Sequence, residues 1–369
     1  MKKIFYVAIS ATLLAAGCQK TEILNQPVGE DLTFSAQMGK LTKADATVTD
    51  ELITQKIDVW AIAAYEDDLN GVEPGEPYKE IQGIELSYNA DTWSTQKEYY
   101  WPGKERFLDF FAISTGTTEN KDIKSLVSVS SNGDGKTART MTVTNYHVSP
   151  AKTEDGVSSG ASDDLMVADF VHQSQEMNSK AVKLNFRHAL SKVQFKFKTT
   201  QLKDEDGKVI TNDKVTLNSI KVTGLNTQGT LNVSEGSTEA DASTGVKQIK
   251  LDWDEKTFST PKGDENFERK EDKLLNSDYA LYATWLVIPQ TIESLQVVVE
   301  YTIEGRDVQT FTHNFALKGE TGTGDAKKTV TKWDVNQVTT YNIDLSPNRI
   351  SFSPVVTPWD PETPINSAN

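Results

Sequence analysis

Sulfur cross-links are excluded at the outset: Cys18 is the single cysteine in 369 residues, so no disulfide forms within the chain. Long apolar runs are missing as well. Beyond residue 17 nothing approaches the roughly twenty apolar residues that a transmembrane helix needs, which leaves a lipid or another protein to hold the chain at a membrane. Positive charge is in deficit, with 38 Lys and Arg against 53 Asp and Glu, for a net charge of −15. Such a surface repels nucleic acid and anionic head groups and argues against both as partners, while its plain physical role is solubility. Helical periodicity over several turns is absent, and at most one short helix is expected, around Asp163 to His172.

Groups that carry chemistry are equally sparse. The four histidines, His147, His172, His188 and His313, have none of the spacings of a zinc site, and His188 is expected to make a structural hydrogen bond where a strand begins. Gly156-Val157-Ser158-Ser159-Gly160 matches the letters of a serine hydrolase elbow. Its flanks are polar on both sides, where a buried strand and a helix are required. Asp204-Glu205-Asp206-Gly207 lacks the alternating ligands and the closing glutamate of a calcium loop, and a hairpin turn explains it. Asp163-Asp164 fits a helix N-cap with an acidic first turn. Gly-rich phosphate loops are absent. No catalytic residue, metal site or cofactor is therefore expected, and the chain is not expected to be an enzyme.

What the chain does have begins at its N-terminus. Met1-Lys2-Lys3 precedes an apolar run from Ile4 to Ala16, then Gly17 and Cys18. A basic head, a short apolar stretch and small residues before a cut describe a secretory signal. Leu13-Leu14-Ala15-Ala16-Gly17-Cys18 resembles the lipobox of bacterial lipoproteins, with Ala15 standing where Leu is usual. The resemblance implies that residues 1–17 are removed, that Cys18 becomes the acylated N-terminus, and that residues 18–30 link a lipid anchor to the folded part. Without Lys2 and Lys3 the chain carries 36 basic against 53 acidic residues, a net charge of −17.

Beyond the leader the dominant period is two. In Leu190-Ser191-Lys192-Val193-Gln194-Phe195-Lys196-Phe197-Lys198, Val193, Phe195 and Phe197 share one face while Lys192, Gln194, Lys196 and Lys198 share the other. That is a half-buried strand with one wet side. Similar runs recur at 31–37, 56–64, 106–113, 140–147, 217–223, 281–288, 295–303, 310–317, 338–345 and 350–356. Turn clusters such as Asp68-Leu69-Asn70-Gly71 and Glu304-Gly305-Arg306-Asp307 separate them. Many short strands spaced by turns predict an all-β protein of antiparallel sheets packed as sandwiches. About 350 residues suffice for two such domains, and the junction is expected near Ala181 to Phe186, after a polar insertion at 149–164. Of the seven tryptophans, Trp60 and Trp285 sit in apolar strands and Trp101 and Trp333 stand among the motifs below. Trp93, Trp253 and Trp359 have polar neighbours and are candidates for exposure.

The order of motifs resembles that of the fimbrillins, whose members build the lipoprotein-derived type V pili of Gram-negative anaerobes of the gut and mouth. The resemblance starts with the lipobox and Leu32-Thr33-Phe34-Ser35-Ala36, followed by Leu41-Thr42-Lys43-Ala44. Tyr99-Tyr100-Trp101-Pro102 then leads into Leu108-Asp109-Phe110-Phe111-Ala112, and Asp164-Leu165-Met166-Val167-Ala168 follows. Phe186-Arg187-His188-Ala189-Leu190-Ser191-Lys192-Val193 is the most characteristic piece. Trp333, Thr340 to Leu345, Ile350, Val356 and Trp359 are similar to the family's ending.

That resemblance implies two antiparallel β-sandwich (transthyretin-like) domains in tandem, residues 31–185 and 186–369, after the signal peptide. It also implies a structural subunit of a surface fimbria at the outer membrane, supporting adhesion. A trypsin-like protease cuts such precursors after a basic residue, here Lys43 or Lys40, and the first strand, 31–37, is lost. The groove it leaves is filled by a C-terminal strand of a neighbour, for which Ile350, Phe352, Val355 and Val356 are the donor candidates. The implied partners are copies of the chain, related pilus subunits, membrane lipid through Cys18 before processing, and a host protein or glycan. Stalk members often carry Arg at the cut site, so Lys43 leaves a lipid-retaining anchor or a tip subunit open. A different class of reading is a monomeric, lipid-anchored glycan binder, which requires Trp93, Trp253 and Trp359 exposed in one groove.

Overall fold

Phe107-Leu108-Asp109-Phe110-Phe111-Ala112-Ile113-Ser114 is apolar on both sides of the strand it forms, and both sides are buried. A half-wet strand alternates, whereas a strand covered on two faces does not. It lies in the middle of the largest sheet of a molecule that is nearly all β. The computed structural model describes residues 30–38, 56–64, 77–103, 107–115, 123–131, 139–148, 164–176, 181–200, 206, 214–236, 245–261, 267–304, 309–321, 328–346 and 349–359. Cys18, Lys40 and Lys43, the expected signal peptide and linker, the Gly156–Gly160 loop and the tail from Asp360 onward lie outside them.

In chain order the first strands are β1 Phe34–Met38, β2 Ile57–Ala64, β3 Pro77–Asn89, β4 Thr92–Thr95 and β5 Phe107–Ser114. A short helix, α1 Ile123–Leu126, precedes β6 Val127–Ser130, β7 Thr140–His147, β8 Met166–Ala168, β9 Phe170–Ser174 and β10 Val182–His188. The chain continues with β11 Ser191–Lys198, β12 Lys214–Thr223, β13 Gln228–Glu235, β14 Val246–Lys247, β15 Ile249–Ser259 and β16 Phe267–Leu274. It ends with β17 Ala280–Val287, β18 Gln296–Glu304, β19 Gln309–Ala316, β20 Gly319–Thr321, β21 Lys328–Val330, β22 Gln337–Ser346 and β23 Arg349–Pro358.

The largest sheet runs β1-β10-β8-β5-β2-β3-β4, with β9 beside β5 and β14 beside β9. Its alternate residues serve two cores. Trp60, Ile62, Phe111 and Ile113 join one cluster, together with Val143, Leu231 and Trp253 of the four-stranded sheet β15-β13-β7-β6. Val59, Ala61, Phe110 and Ala112 point the other way, into a second cluster with Phe34, Trp93 and Trp101. The sheet curls around this second cluster until the Tyr99–Trp101 segment beyond β4 meets the chain just ahead of β1. Leu32 N–H donates to Tyr99 O at 2.7 Å and Trp101 N–H to Glu30 O at 3.1 Å.

The later strands form two facing four-stranded sheets, β17-β11-β22-β23 and β16-β12-β18-β19. Trp285 bridges them, edge-on to Phe195 of β11 at 5.4 Å and to Phe267 of β16 at 5.9 Å. Val193, Phe195 and Phe197 are fully buried, as their alternation predicts, and Lys192, Gln194, Lys196 and Lys198 face outward. Pairing is antiparallel except between β1 and β10 and between β11 and β22, which run parallel.

One expectation meets a different arrangement. From Asp164 on, the segment expected to be a short helix forms β8 and β9, because Leu165 to Ala168 are fully buried on both sides against β5 and β10. Phe186 lies inside β10, which pairs with β1 and β8. Strands β13 and β14 likewise return to β7 and β9, so hydrogen-bonded sheets span that position. Pairing at long sequence separation leaves no trace in local periodicity.

Candidate functional site

Two terminal strands carry the functional expectations, and their geometries differ. In β1 and the residues just before it, Leu32, Phe34 and Ala36 are buried at 3%, 5% and 3% exposure, while Asp31 and Thr33 are exposed. Phe34 meets Phe110 edge-on at 5.9 Å, and Phe110 meets Trp101 at 5.8 Å. On one side β1 pairs in parallel with β10, from Phe34 opposite Val182 to Met38 opposite Phe186. On the other side its hydrogen bonds are those of the Glu30–Leu32 stretch to Tyr99 and Trp101. Farther along, a cleft of about 300 Å³ opens between β1 and β4, lined by Leu32, Thr33 and Phe34 opposite Trp93, Thr95 and Tyr99. The N-terminal strand thus fills a core from the edge of its sheet, tied along one flank.

At the other end β23 is the edge of its sheet, antiparallel to β22 over ten residue pairs, from Ser346 opposite Arg349 to Gln337 opposite Pro358. Of the donor candidates, Ile350, Phe352 and Val356 are half-buried against the main core, and Val355 points outward at 42% exposure. Phe352 stacks on Tyr341 at 5.0 Å, and Tyr341 stacks on Phe195 at 5.2 Å. Burial pushes the Tyr341 phenol well up, and the hydrogen bond it accepts from Trp333 Nε1 at 2.9 Å partly offsets this. Gly319 of β20 lies against the same strand. A Cβ there would stand 2.8 Å from Pro354 and 3.2 Å from Phe352, so only glycine lets the β20–β21 hairpin approach this closely.

The end of β23 is pinned by contacts that the separate motifs did not reveal. Trp359 stacks on His188 at 3.7 Å and 7°, lies under Lys192 Nζ at 4.4 Å from its centroid, and donates its backbone N–H to Asn336 O at 3.0 Å. His188, at the end of β10, is in turn held by Asp164 at 2.7 Å. Both residues of the stack stood in quoted motifs, but only the fold brings the last of these motifs onto the most characteristic one.

Other candidates take structural places. Trp93 and Trp253, considered for exposure, are 9% and 8% exposed, and Trp253 Nε1 donates to Ala189 O at 2.8 Å. Their polar neighbours misled because adjacent residues of a strand face opposite ways. Trp359 is half-buried, and the three do not share an open groove. His172 bonds the buried Asp109 at 2.8 Å, alongside Ser131 at 2.7 Å and Arg139 at 2.5 Å. Arg139 also pairs with Glu235, which Lys247 contacts. Burial alone pushes the Asp109 carboxyl up, but the His172, Arg139 and Ser131 partners outweigh it and hold it below the usual carboxylate range. Glu235 is held down in the same sense by Lys247 and Arg139 against its own burial. Among the described residues no three His, Cys, Asp or Glu side chains are grouped to hold a metal ion, and no helix is long and apolar enough to cross a membrane.

The model of a family described as fimbrillin-like matches residues 42–359. In fold, the chain is similar to a fimbrial protein from Bacteroides vulgatus, with a TM-score of 0.51 and 15% identity over 89% of this chain and all of that one. A candidate cell adhesion protein from Bacteroides ovatus aligns at a TM-score of 0.46 and 15% identity, over 90% of this chain and 98% of that one. No curated protein matches the sequence.

Proposed function

The chain belongs to the fimbrillin-like family, and from that premise we propose that it is a non-enzymatic structural subunit of a surface pilus, assembled by exchange of terminal strands between copies. The observation that carries the proposal is β1: a short edge strand whose Phe34 and Ala36, with Leu32 just ahead of it, fill a core while its backbone is tied along one flank. Removal of β1 uncovers an apolar groove beside β10. Leu32 and Phe34 contribute about 2 kcal/mol each by burial, and an unpaired edge with an apolar floor invites another strand.

In this reading Cys18 carries lipid during export, and Lys43 or Lys40, a few residues past β1, is where a protease severs β1 from the rest. β23 is the donor. Its inward residues Ile350, Phe352 and Val356 recur at the period of two that a groove of alternate pockets requires, and among the described residues it pairs with β22 alone. Before exchange it is parked on β22, so donation requires its release.

Intact mass and N-terminal sequencing of the protein from its host's surface, beside a non-reducing gel without boiling, tests this. A new N-terminus at Ala44 or Leu41 with a ladder of stable multimers is expected, and Lys40→Ala with Lys43→Ala should abolish both. An acylated Cys18 on a single monomeric band would overturn the stalk role and leave the chain an anchor or a monomeric surface lipoprotein.

A further inference from the structure

The wet side of β11 is unlike the rest of this acidic chain. Lys192, Lys196 and Lys198 point outward from the middle of the sheet β17-β11-β22-β23. Register fixes their neighbours. Lys196 stands level with Leu281, Asn342 and Ser353; Gln194 with Thr284, Thr340 and Val355; Lys198 with Asp344 and Ser351. Only Asp344 offsets the three lysines in these rows, 3.6 Å from Lys198. Lys192 is engaged by Trp359 and Lys198 also lies 4.7 Å from the Tyr279 ring, whereas Lys196 has no ion partner among the described residues.

Exposed apolar side chains gather on the same face. Among the described residues four large hydrophobics are exposed, and three of them, Tyr279 at 41%, Leu281 at 45% and Val355 at 42%, lie here. Scattered exposed hydrophobics need no explanation, but a cluster within one basic sheet face marks an interaction surface. The charge selects the occupant. The whole chain carries −15, so with these lysines set aside the remainder is still more acidic. The face therefore repels its own image and attracts the rest of a second copy.

We infer that the outer face of β17-β11-β22-β23 docks an acidic surface of another copy of this chain. Because the two contacting surfaces differ, the contact is heterologous and builds a ring or an open chain instead of an isologous pair. It complements strand exchange by giving subunits or filaments a lateral, salt-labile contact. The inference rests on the reading of the chain as an assembling subunit but requires neither cleavage nor exchange.

Sedimentation velocity of the full uncleaved chain, at low salt and at about 0.5 M, where the screening length is about 4 Å, tests it. Association beyond a dimer at low salt that dissolves at high salt is expected. Lys196→Glu should weaken it with an unchanged melting temperature, the Lys196→Glu, Lys198→Glu double variant should lose it while staying folded at a melting temperature lowered by loss of the Lys198–Asp344 pair, and Leu281→Ser should weaken it at low salt. A closed dimer, or association indifferent to the charge reversal, would overturn the inference. So would dextran sulfate binding that is lost in the double variant while self-association persists, which would assign the face to an anionic polysaccharide. Failure of strand exchange shows separately, as the missing boil-sensitive ladder after proteolysis.

Discussion

The two terminal strands hold their places by opposite means. β1 has five residues paired on one flank and drives Phe34 and Ala36, with Leu32 ahead of it, into a closed core. β23 has ten paired residues, and of its described side chains only Pro354 is buried, while Ile350, Ser351, Phe352 and Val356 are half-buried and the others exposed. One strand is therefore fixed mainly by side-chain burial, the other mainly by backbone pairing. The difference bears on assembly. Loss of a burial-fixed strand leaves behind an apolar vacancy that something must fill, whereas release of a pairing-fixed strand leaves a polar edge that water can satisfy. A molecule with the first kind at its start and the second kind at its end is suited to accept at one terminus and give at the other.

The sharpest way to break this comparison is to trim one aromatic from each strand. Phe34→Ala empties a closed core and should lower stability by about 3–5 kcal/mol in denaturant unfolding. Phe352→Ala, half-buried and stacked on Tyr341, should cost about 2 kcal/mol. Equal losses would remove the distinction.

Acid should separate the same two regions. Asp109 and Glu235 have carboxyls held below their ordinary values of 3.8 and 4.5, so the folded form resists protons that the unfolded form takes up. Their contribution is fully present above those values and is lost as pH falls through the lower folded ones. The Asp109–Arg139–Glu235 network joins β5, a strand of the β1-bearing sheet, to the residue just before β7 and to β13. Hydrogen exchange below about pH 4 is therefore expected to rise first in β5, β7 and β13 and later in β22. The reverse order would show that this network does not govern acid stability.

Much of this contrast could be read from the amino acids. The alternation in Ser191 to Lys198 gave both the buried aromatic column and the lysine column, and runs such as 140–147 and 350–356 lie on observed strands because each has one wet face. Legibility failed where both faces are covered. Leu165 to Ala168 has no period to read, and a short apolar run of that kind fits a helix turn as well as a strand. The polar setting of Asp252-Trp253-Asp254 concealed a core tryptophan, since the carboxylates belong to the opposite face. The site divides the same way. The inward residues of β1 and β23 were visible as patterns, but β1 lying parallel to β10 and Trp359 resting on His188 depend on where the chain returns.

That contact supplies the next test. Trp359→Ala removes the stack on His188 and the Lys192 cation–π contact, together about 1 kcal/mol at a half-exposed site. Faster amide exchange at the Pro358 end of β23, and faster multimer formation after proteolysis, are expected without a matching change in β1. Global destabilisation of both strands alike would mean that Trp359 is ordinary core and not a clamp on the donor.

The smallest effect isolates the outward side of β23. Val355 sits in register with Thr340 and faces solvent, so Val355→Thr exchanges a β-branched residue for another of the same shape, and stability should shift by no more than about 0.5 kcal/mol. The substitution does remove an apolar group from the lysine-bearing face. Low-salt self-association of the uncleaved chain should weaken while the boil-sensitive ladder after cleavage stays intact, because the proposed donor residues Ile350, Phe352 and Val356 point the other way. If the ladder were lost and self-association kept, the faces of β23 would have the opposite duties, and Val355 would be the residue that enters a neighbour's groove.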